Sequence, residues 1–305
     1  MATEMKDGAI GFIGIGNMGW PQAANLARAG RKVVAFDADP SRAERFAAET
    51  GARAVRALAE LGAAVDTVVT MLPTGQIVRQ VMLEMEGGGL ARSLKRGALL
   101  IDMSSSDPIG TRELGQALAQ YGIALVDAPV SGGTKGAKDG TLTIMIGGDD
   151  PAAIARAKPI LECMGKRLFD TGPLGSGHAM KALNNYVAAT GFAAASEALI
   201  VGERFGLDPK IMVDIMNVST GRNFSTENTI KGQVLTHSFA SGFALGLMAK
   251  DVKIAADLAA GLDLDAPIVR LASARFGEAT SAVGGDKDHT VAYAFWEQQL
   301  GKPRR

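Results

Sequence analysis

The first half of the chain alternates short hydrophobic runs with helical stretches, and this alternation restricts the possible folds more than any other feature. Strand-like runs rich in Val, Ile and Leu occur at 9–16, 32–37, 66–72, 98–104 and 123–130. Two further runs, 141–148 and 166–172, have the character of closing strands. Because helical patterns separate the strands, we predict βαβ units and a mostly parallel sheet with helices on both faces.

The pattern changes near residue 172. A long helical pattern runs from 176 to 205, interrupted only by Gly191 and Gly202, and the remainder consists of helical patterns with short turns. We predict an α/β domain at 1–172 and an all-α domain at 173–305, joined by this long helix. A chain of 305 residues, 47% of them hydrophobic, is large enough for two cores.

Charge and cysteine content exclude several classes of protein. The 32 basic and 32 acidic residues balance, whereas proteins that bind nucleic acid or anionic membranes usually carry a basic excess. There is no apolar run of about 18 residues and no signal-peptide pattern. The single Cys163 cannot form a disulfide within the chain, and we interpret it as a small buried hydrophobe. We therefore expect a cytoplasmic protein with no nucleic-acid or membrane partner.

A glycine-rich motif closes the first predicted strand and opens the first helix. It consists of Gly14, Ile15, Gly16, Asn17, Met18 and Gly19, and fits G-x-G-x-x-G. The first glycine permits a tight turn, the second lets a pyrophosphate approach the backbone, and the third allows close packing of helix on strand. In this context the motif predicts a dinucleotide whose phosphates lie at the helix N-terminus.

An acidic residue at the end of the second strand bears on the choice of dinucleotide. Asp37 lies 18 positions after Gly19, close to the spacing of about 20 for the carboxylate that binds the adenosine ribose. A carboxylate there repels a 2′-phosphate, so NAD is favoured over NADP. The nearby Arg42 leaves the alternative open, because an arginine could hold that phosphate. Asp39 and Pro40 have the pattern of a helix N-cap and first helical residue.

Three loops follow the carboxyl ends of other predicted strands, where open α/β sheets bind ligands. The first is Leu72-Pro73, which we place beside the cofactor, and the second spans 102–108. The third contains Ser131, Gly132 and Gly133, whose hydroxyl and backbone N–H groups form a plausible nest for a carboxylate. By itself this third sequence also fits an ordinary turn.

The long helix begins with a lysine and an amide on one face. Lys181 and Asn185 are four residues apart, and apolar neighbours such as Leu183 and Val187 indicate that this face is partly buried. Partial burial disfavours the charged form of a lysine, which suits acid/base work. A lysine that extends to solvent remains the alternative. We interpret His178 as structural, and no metal-ligand spacing occurs anywhere.

Taken together, these features resemble the β-hydroxyacid dehydrogenase family over nearly the whole chain. The segments that carry the resemblance are GFIGIGNMG (11–19), MLP (71–73), IDMSSSDP (101–108), DAPVSGGTKGAKDGTLTIMIGG (127–148), GSGHAMKALNN (175–185), GLDP (206–209) and GFALGLMAKD (242–251). The resemblance implies a Rossmann domain, a long interdomain helix and a helical C-terminal domain in a homodimer or homotetramer. It implies NAD-dependent oxidation of a small 3-hydroxy acid, similar to 3-hydroxyisobutyrate, to its semialdehyde.

The resemblance also implies roles for individual residues. Lys181 is the expected general acid/base residue and Asn185 its partner. The expected contacts of the substrate carboxylate are Ser131, Gly132 and Gly133. Ser105 falls near the nicotinamide, Lys250 falls close to both cofactor and substrate, and Asp251 is its neighbour.

The family pattern is not followed everywhere. Phe224 replaces a tryptophan in a segment expected to line the substrate pocket, and Trp20 and Gln22 alter the stretch after the glycines. The identity of the small carboxylate substrate therefore stays open. One alternative is an NAD(P)H-dependent reductase of succinic semialdehyde, glyoxylate or tartronate semialdehyde. A more distant alternative is a dinucleotide-binding scaffold without catalytic activity.

Overall fold

The computed structural model describes residues 8–85 and 87–301. The chain divides into two compact units, unit 1 up to Lys181 and unit 2 from Ala182 onward. The helix that spans this division runs without a break from Ser176 to Phe205. The domain boundary that we place at 172 from the sequence stays a prediction, because an uninterrupted helix offers no natural point of separation.

Unit 1 contains a single sheet with helices packed around it. Its strands are Ile10–Ile13 (β1), Val33–Phe36 (β2), Arg53–Ala54 (β3), Thr67–Thr70 (β4), Leu99–Asp102 (β5), Ala124–Asp127 (β6), Val130–Ser131 (β7), Leu142–Gly147 (β8) and Gly165–Gly172 (β9). Its helices are Gly19–Arg28 (α1), Pro40–Thr50 (α2), Leu58–Ala64 (α3), Gly75–Arg79 (α4), Pro108–Ala119 (α5), Gly133–Asp139 (α6) and Pro151–Leu161 (α7). A π-helical turn, Gln80–Glu84, and a 3-10 turn, Leu90–Arg92, follow α4.

The sheet has the strand order β3-β2-β1-β4-β5-β6-β8-β7, with β9 paired to β8. All pairs from β3 to β6 are parallel, whereas β8 runs antiparallel to both β6 and β7. The direction of strand succession reverses between β1 and β4. Doubly wound sheets bind ligands at such a switch point, outside the carboxyl ends of the strands. The predicted α/β architecture with a mostly parallel sheet is confirmed.

Side chains of the central strands are buried on both faces of the sheet. Along β5, Leu99 and Ile101 belong to one hydrophobic cluster and Leu100 to the other, as the two-residue period of a strand requires. The strands β1, β4 and β5 are buried at every position. This continuous burial explains why these strands do not alternate polar and apolar residues, and their only polar side chains are those of Thr67, Thr70 and Asp102.

One predicted strand is wrong in detail. The run 123–130 forms two strands, since β6 ends at Asp127 and β7 begins at Val130. Pro129 lies between them and has no N–H group to donate to a ladder. The two-residue β3 and the π-helical turn were not expected from the sequence, because neither has enough residues to show a periodicity.

Unit 2 is helical, as predicted. It contains most of the long helix Ser176–Phe205 (α8), then Pro209–Asn217 (α9), a π-helix at Ser225–Val234, Leu245–Gly261 (α10), Pro267–Val283 (α11) and Val291–Leu300 (α12). Its core forms around Trp296, whose ring contacts Phe276 edge-on and Phe192 in a tilted arrangement. Within the described residues, no helix combines the length and the apolar character needed to cross a membrane.

Candidate active site

The glycine motif forms the turn between β1 and α1 at the switch point of the sheet. Gly14 has φ +96°, and a Cβ there would lie 2.3 Å from the carbonyl oxygen of Met71. A Cβ on Gly19 would lie 1.8 Å from the carbonyl oxygen of Gly14. Both positions therefore exclude any side chain, which is the packing that the sequence motif predicts.

Gly16 differs from these two glycines because the space beside it is open. A Cβ built on Gly16 meets no atom within 4 Å, and its φ is not in the left-handed region. The first turn of α1, which starts at Gly19, contains no acidic residue. A half-buried glycine backbone before a helix whose first turn carries no acidic residue fits the pyrophosphate of a dinucleotide.

The carboxylate of Asp37 is held at the edge of this loop. It follows β2, and its Oδ2 accepts a hydrogen bond of 2.7 Å from the backbone N–H of Ile15. Its Oδ1 accepts one of 2.9 Å from the N–H of Asp39. Two backbone bonds fix the carboxylate beside the glycine turn, where the sequence predicts the adenosine ribose. The Asp39 side chain caps α2 by accepting from Ser41, and Pro40 is the first helical residue, as predicted.

A cationic cavity of 760 Å³ opens beside the glycine loop. Gly16 and Asn17 of the loop contribute to its wall together with α1 residues, and no carboxylate does. The cations that line it are Arg28, Arg42, Arg45 and Lys138. Arg42 also lies 3.4 Å from Asp39, so part of its charge is already balanced. Arg45 stacks over the ring of Trp20 at 4.9 Å.

A buried polar network joins the ends of β4 and β5. Asp102 accepts hydrogen bonds from the Thr70 hydroxyl and the Ser104 N–H at Oδ1, and from the Ser106 hydroxyl at Oδ2. Ser104 in turn accepts a bond of 2.9 Å from the N–H of Leu72. The network thus sets the course of two loops that line the switch point.

Three residues predicted to contact the cofactor lie on these two loops. Leu72 and Ser105 are half-buried, and Pro73 is exposed. The sequence placed them at strand ends but did not indicate the carboxylate of Asp102 as the group that orients both loops. The polar residues that directly follow β5 were the feature of the sequence from which this role of Asp102 could have been found.

The structure brings Lys181 to the predicted substrate loop of unit 1. The Lys181 Nζ donates to the Ser131 Oγ at 3.2 Å. Ser131 ends β7, and Gly132 and Gly133 follow with φ +133° and +60°, conformations that favour glycine. Two residues that are 50 positions apart in the sequence are therefore neighbours, and both are half-buried.

The start of α8 is fixed by a buried carboxylate. Asp127, at the end of β6, accepts hydrogen bonds of 2.8 Å from the N–H groups of Gly175 and His178. This carboxylate serves as a cap for the otherwise unpaired N–H groups of the first turn. The sequence does not reveal the contact, because the cap comes from a strand about 50 residues away.

The other predicted polar residues form a separate group in unit 2. Asn185 Nδ2 donates to Asp251 Oδ2 at 2.7 Å, and Lys250 Nζ lies 3.3 Å from Asp251 Oδ1. Asp251 is almost completely buried on α10. The amide predicted to assist Lys181 is thus oriented by a carboxylate that accepts from its NH₂ group, and its Oδ1 accepts from Asn184 Nδ2 at 3.2 Å.

One reason given for burial of the lysine face is wrong. Leu183 and Val187 are 42% and 67% exposed, so their apolar character does not mark the buried side of α8. Lys181 and Asn185 are themselves half-buried, on another side of the helix. Cys163, predicted to be buried, is half-buried, and its Sγ lies 3.4 Å from the carbonyl oxygen of Pro159. Among the described residues, no cluster of His, Cys, Asp and Glu is arranged to hold a metal ion.

Comparison with known families gives two matches that together span most of the chain. Residues 9–172 match the NAD binding domain of 6-phosphogluconate dehydrogenase. Residues 175–296 match the family described as the NAD-binding domain of NADP-dependent 3-hydroxyisobutyrate dehydrogenase.

Individual proteins show the same relationship over almost the full length. The chain is 38% identical to 2-(hydroxymethyl)glutarate dehydrogenase of Eubacterium barkeri, with 96% of each chain covered. It is 33% identical to the NAD-dependent L-serine dehydrogenase of Pseudomonas aeruginosa, over 96% of this chain and 99% of the relative. The solved 3-hydroxyisobutyrate dehydrogenase of Mycobacterium tuberculosis with L-serine superposes with a TM-score of 0.86 at 33% identity, covering 94% of this chain and 98% of that one.

Proposed function

Since the chain belongs to the β-hydroxyacid dehydrogenase family of NAD-dependent oxidoreductases, we propose that it oxidises a small 3-hydroxy acid to the semialdehyde, with Lys181 as the general acid/base residue. The observation that carries this proposal is the contact of 3.2 Å between the Lys181 amine and the Ser131 hydroxyl. This contact supports a role for the Lys181 amine as the proton acceptor beside a loop suited to a carboxylate.

The names of the relatives support a narrower class of substrate. 2-(Hydroxymethyl)glutarate, 3-hydroxyisobutyrate and L-serine all contain a CH₂OH group and a carboxylate on the same carbon atom. They differ only in the third substituent of that carbon. We propose a substrate of the form HOCH₂–CHR–COO⁻ for this chain as well, with R small.

The residues around Lys181 suit the two ends of such a molecule. The Ser131 hydroxyl and the backbone N–H groups of Gly132 and Gly133 would hold the carboxylate. Lys181 lies against this loop. In such an acid the hydroxyl carbon is bonded to the carbon that bears the carboxylate, so its hydroxyl would lie within reach of the Lys181 amine. Asn185, one helical turn further along α8, would donate or accept at the same hydroxyl and limit its orientation.

The acid/base step is a proton transfer at the Lys181 Nζ. In oxidation, the neutral amine accepts the proton of the substrate hydroxyl as the carbonyl forms. In the reverse direction, the ammonium returns that proton to the alkoxide oxygen. The glycine loop and Asp37 would hold NAD, which when bound would supply the acceptor for the hydride that leaves the hydroxyl carbon. The half-buried position of Lys181 limits competition from water for the same proton.

A spectrophotometric screen at ~340 nm tests the proposal through NADH formation. The purified protein is assayed with NAD and NADP against 3-hydroxyisobutyrate, 2-(hydroxymethyl)glutarate, serine, glycerate, threonate and 4-hydroxybutyrate. We expect turnover with at least one HOCH₂–CHR–COO⁻ acid and none with 4-hydroxybutyrate, whose hydroxyl lies one carbon too far from the carboxylate. Absence of turnover with every acid, while NADH still binds, would refute the proposed activity.

Replacement of Lys181 tests its role. Because general acid/base assistance contributes about 10²–10⁴-fold, Lys181→Ala should lower kcat by that order while the affinity for NADH stays within about threefold. Lys135→Ala, which removes an exposed lysine from the neighbouring α6, is the matched control and should leave kcat unchanged. Near-normal turnover of Lys181→Ala would remove this residue from the mechanism.

A further inference from the structure

A histidine and two carboxylates are buried together beneath the first turn of α8. The side chain of His178 is 0% exposed, and those of Asp102 and Asp127 are 2% and 0% exposed. His178 Nε2 lies 3.7 Å from Asp102 Oδ2, and Nδ1 lies 3.9 Å from Asp127 Oδ2. Buried charges of this kind are costly unless the groups around them provide donors. The proposed acid/base step does not use this cluster.

The ring nitrogens of His178 are in different situations. Nδ1 lies 2.8 Å from the Thr111 hydroxyl, which also lies 2.9 Å from the carbonyl oxygen of Asp107. Nε2 is buried and makes no hydrogen bond, and Asp102 is the acid that it faces. A hydroxyl has one hydrogen, so Thr111 either donates to Nδ1 or donates to Asp107 and accepts from Nδ1.

The nearer carboxylate, Asp102, favours hydrogen on Nε2 of His178, while Thr111 can serve Nδ1 as donor or acceptor. If only Nδ1 were protonated, the lone pair of Nε2 would face a buried carboxylate oxygen, which is repulsive. A hydrogen on Nε2 turns the same contact into an attraction, in the neutral ring or in the doubly protonated one. At 3.7 Å the contact is longer than a hydrogen bond, yet a buried charge and N–H dipole still attract strongly at this distance.

We propose that His178 is a positioning residue, protonated at Nε2, which holds the first turn of α8 against the loop that follows β5. Asp102 is the group that orients this loop, since it accepts from Ser104 and Ser106. Asp127 holds the backbone of the same helical turn. His178 connects the two carboxylates. It therefore fixes the position of the first turn of α8 relative to the loop that follows β5, within unit 1.

The connection reaches Lys181 through the geometry of the helix. Lys181 follows His178 by three residues, and side chains with this spacing lie on adjacent positions of one helix face. A shift of the first turn would therefore move the amine relative to Ser131. Small displacements of catalytic groups lower turnover more than they lower substrate affinity, because the aligned geometry is needed most in the transition state.

Two substitutions separate positioning from simple filling of space. His178→Gln keeps a donor and an acceptor, whereas His178→Leu fills similar space without either. Leu61 is a buried residue of α3, and Leu61→Ala is a control for general destabilisation of the same unit. Assays are run at a temperature at which every variant is folded. This part of the test rests on the proposed function, because it uses turnover of the hydroxy acid.

We expect His178→Leu to lower kcat about tenfold or more, with the KM for the acid within about threefold. His178→Gln should stay within about threefold of the wild type in both constants, and Leu61→Ala should keep its kcat. Equal kcat for wild type, His178→Leu and His178→Gln would overturn the positioning role.

Two readouts do not depend on any activity. Nitrogen-15 NMR of the histidine rings should show hydrogen on Nε2 of His178 in the wild type, and hydrogen on Nδ1 alone would overturn the proposal. Hydrogen exchange at residues 175–181 should become faster in His178→Leu and not in Leu61→Ala, and unchanged exchange in His178→Leu would count against it. If the wild type oxidises no acid, the proposed function fails while these two measurements still decide the role of His178.

Discussion

At the residue scale, the three glycines of the first loop meet different physical demands. Gly14 needs a left-handed conformation and close contact with Met71, and Gly19 packs against the carbonyl of Gly14. Gly16 has neither constraint in the protein itself. The fold does not require a glycine at this position, so we expect a ligand to approach its backbone there.

This difference makes a substitution at Gly16 informative. Gly16→Ala should leave the free energy of unfolding within about 0.5 kcal/mol, because the added methyl meets no neighbour, yet weaken NADH binding about tenfold or more. Thermal melting and fluorescence titration with NADH measure the two effects. Gly277→Ala on α11 is equally unhindered and should bind NADH normally. Unchanged NADH affinity in Gly16→Ala would show that the pyrophosphate does not pass this glycine.

We expect Asp37, beside the same loop, to favour NAD over NADP. Its carboxylate is held by the N–H groups of Ile15 and Asp39, and a cavity lined with Arg42 and Arg45 lies close by. Asp37→Ser removes the charge that repels a 2′-phosphate while the cations remain. We expect the preference for NADH over NADPH to fall about tenfold or more, measured as the ratio of the two dissociation constants. Asp139→Ser, on α6, should leave the ratio unchanged.

At the element scale, helix starts were the part of the structure most open to prediction. Four helices begin in the same way. An aspartate side chain accepts a hydrogen bond from a backbone N–H near the helix start, and a proline occupies the first helical position. These pairs start α2, α5, α7 and α9. The signal is local, because cap and capped group are two or three residues apart. The cap of α8 by Asp127 is not local, and no inspection of residues 170–180 could find it.

A buried histidine, His289, lies two residues before α12, and its titration affects stability. His289 donates its backbone N–H to the Phe243 carbonyl, and its ring packs edge-on against Phe192. Burial lowers the pKa of His289 below its usual value of 6.5, although the charge of Asp288 acts in the opposite direction. The folded state therefore resists protonation, and the unfolded chain binds more protons at acidic pH.

Acidic pH lowers the part of the folding stability that is linked to His289. The stability linked to His289 is fully present above about pH 6.5, its usual pKa, and decreases as the pH falls below that value. We expect the free energy of unfolding to decrease between about pH 7 and 5, and His289→Gln to reduce this slope, measured by urea denaturation at several pH values. His237→Gln replaces an exposed histidine and should keep the wild-type slope. An identical slope in wild type and His289→Gln would contradict the burial argument.

At the scale of the whole molecule, apolar side chains are distributed unevenly between the two units. Fifteen of the eighteen exposed large hydrophobic side chains in the described chain lie in unit 2. On α9, Ile211 and Ile215 are each 58% exposed and one helical turn apart, and Val218, directly after the helix, is 87% exposed. Exposed apolar clusters of this kind favour association. We expect unit 2 to form the contact in a homodimer or homotetramer.

Light scattering coupled to gel filtration tests the association. We expect at least twice the mass of one chain for the wild type and a lower mass for the double variant Ile211→Glu and Ile215→Glu, because buried unpaired carboxylates oppose association. Phe169→Glu replaces an exposed aromatic ring of unit 1 and should leave the mass unchanged. A monomeric wild type would refute the assembly. The cytoplasmic location expected from the sequence stays a prediction.

Features that depend on neighbouring residues could be predicted without a structure. Strand and helix alternation, the glycine turn, the aspartate–proline caps and the uninterrupted α8 all follow from periodicity or from contacts a few residues long. These features were sufficient for the fold class and for the position of Lys181 at the start of the long helix.

Contacts between groups that are distant in the sequence depend on how the chain packs. Lys181 reaches Ser131 across 50 positions, Asn185 reaches Asp251 across 66, and His178 lies between carboxylates supplied by β5 and β6. The apolar residues Leu183 and Val187 indicated the wrong side of α8 for the same reason. Which side of a helix is buried, and which carboxylate faces a ring, depends on packing between segments far apart in the chain, and periodicity contains no information about that.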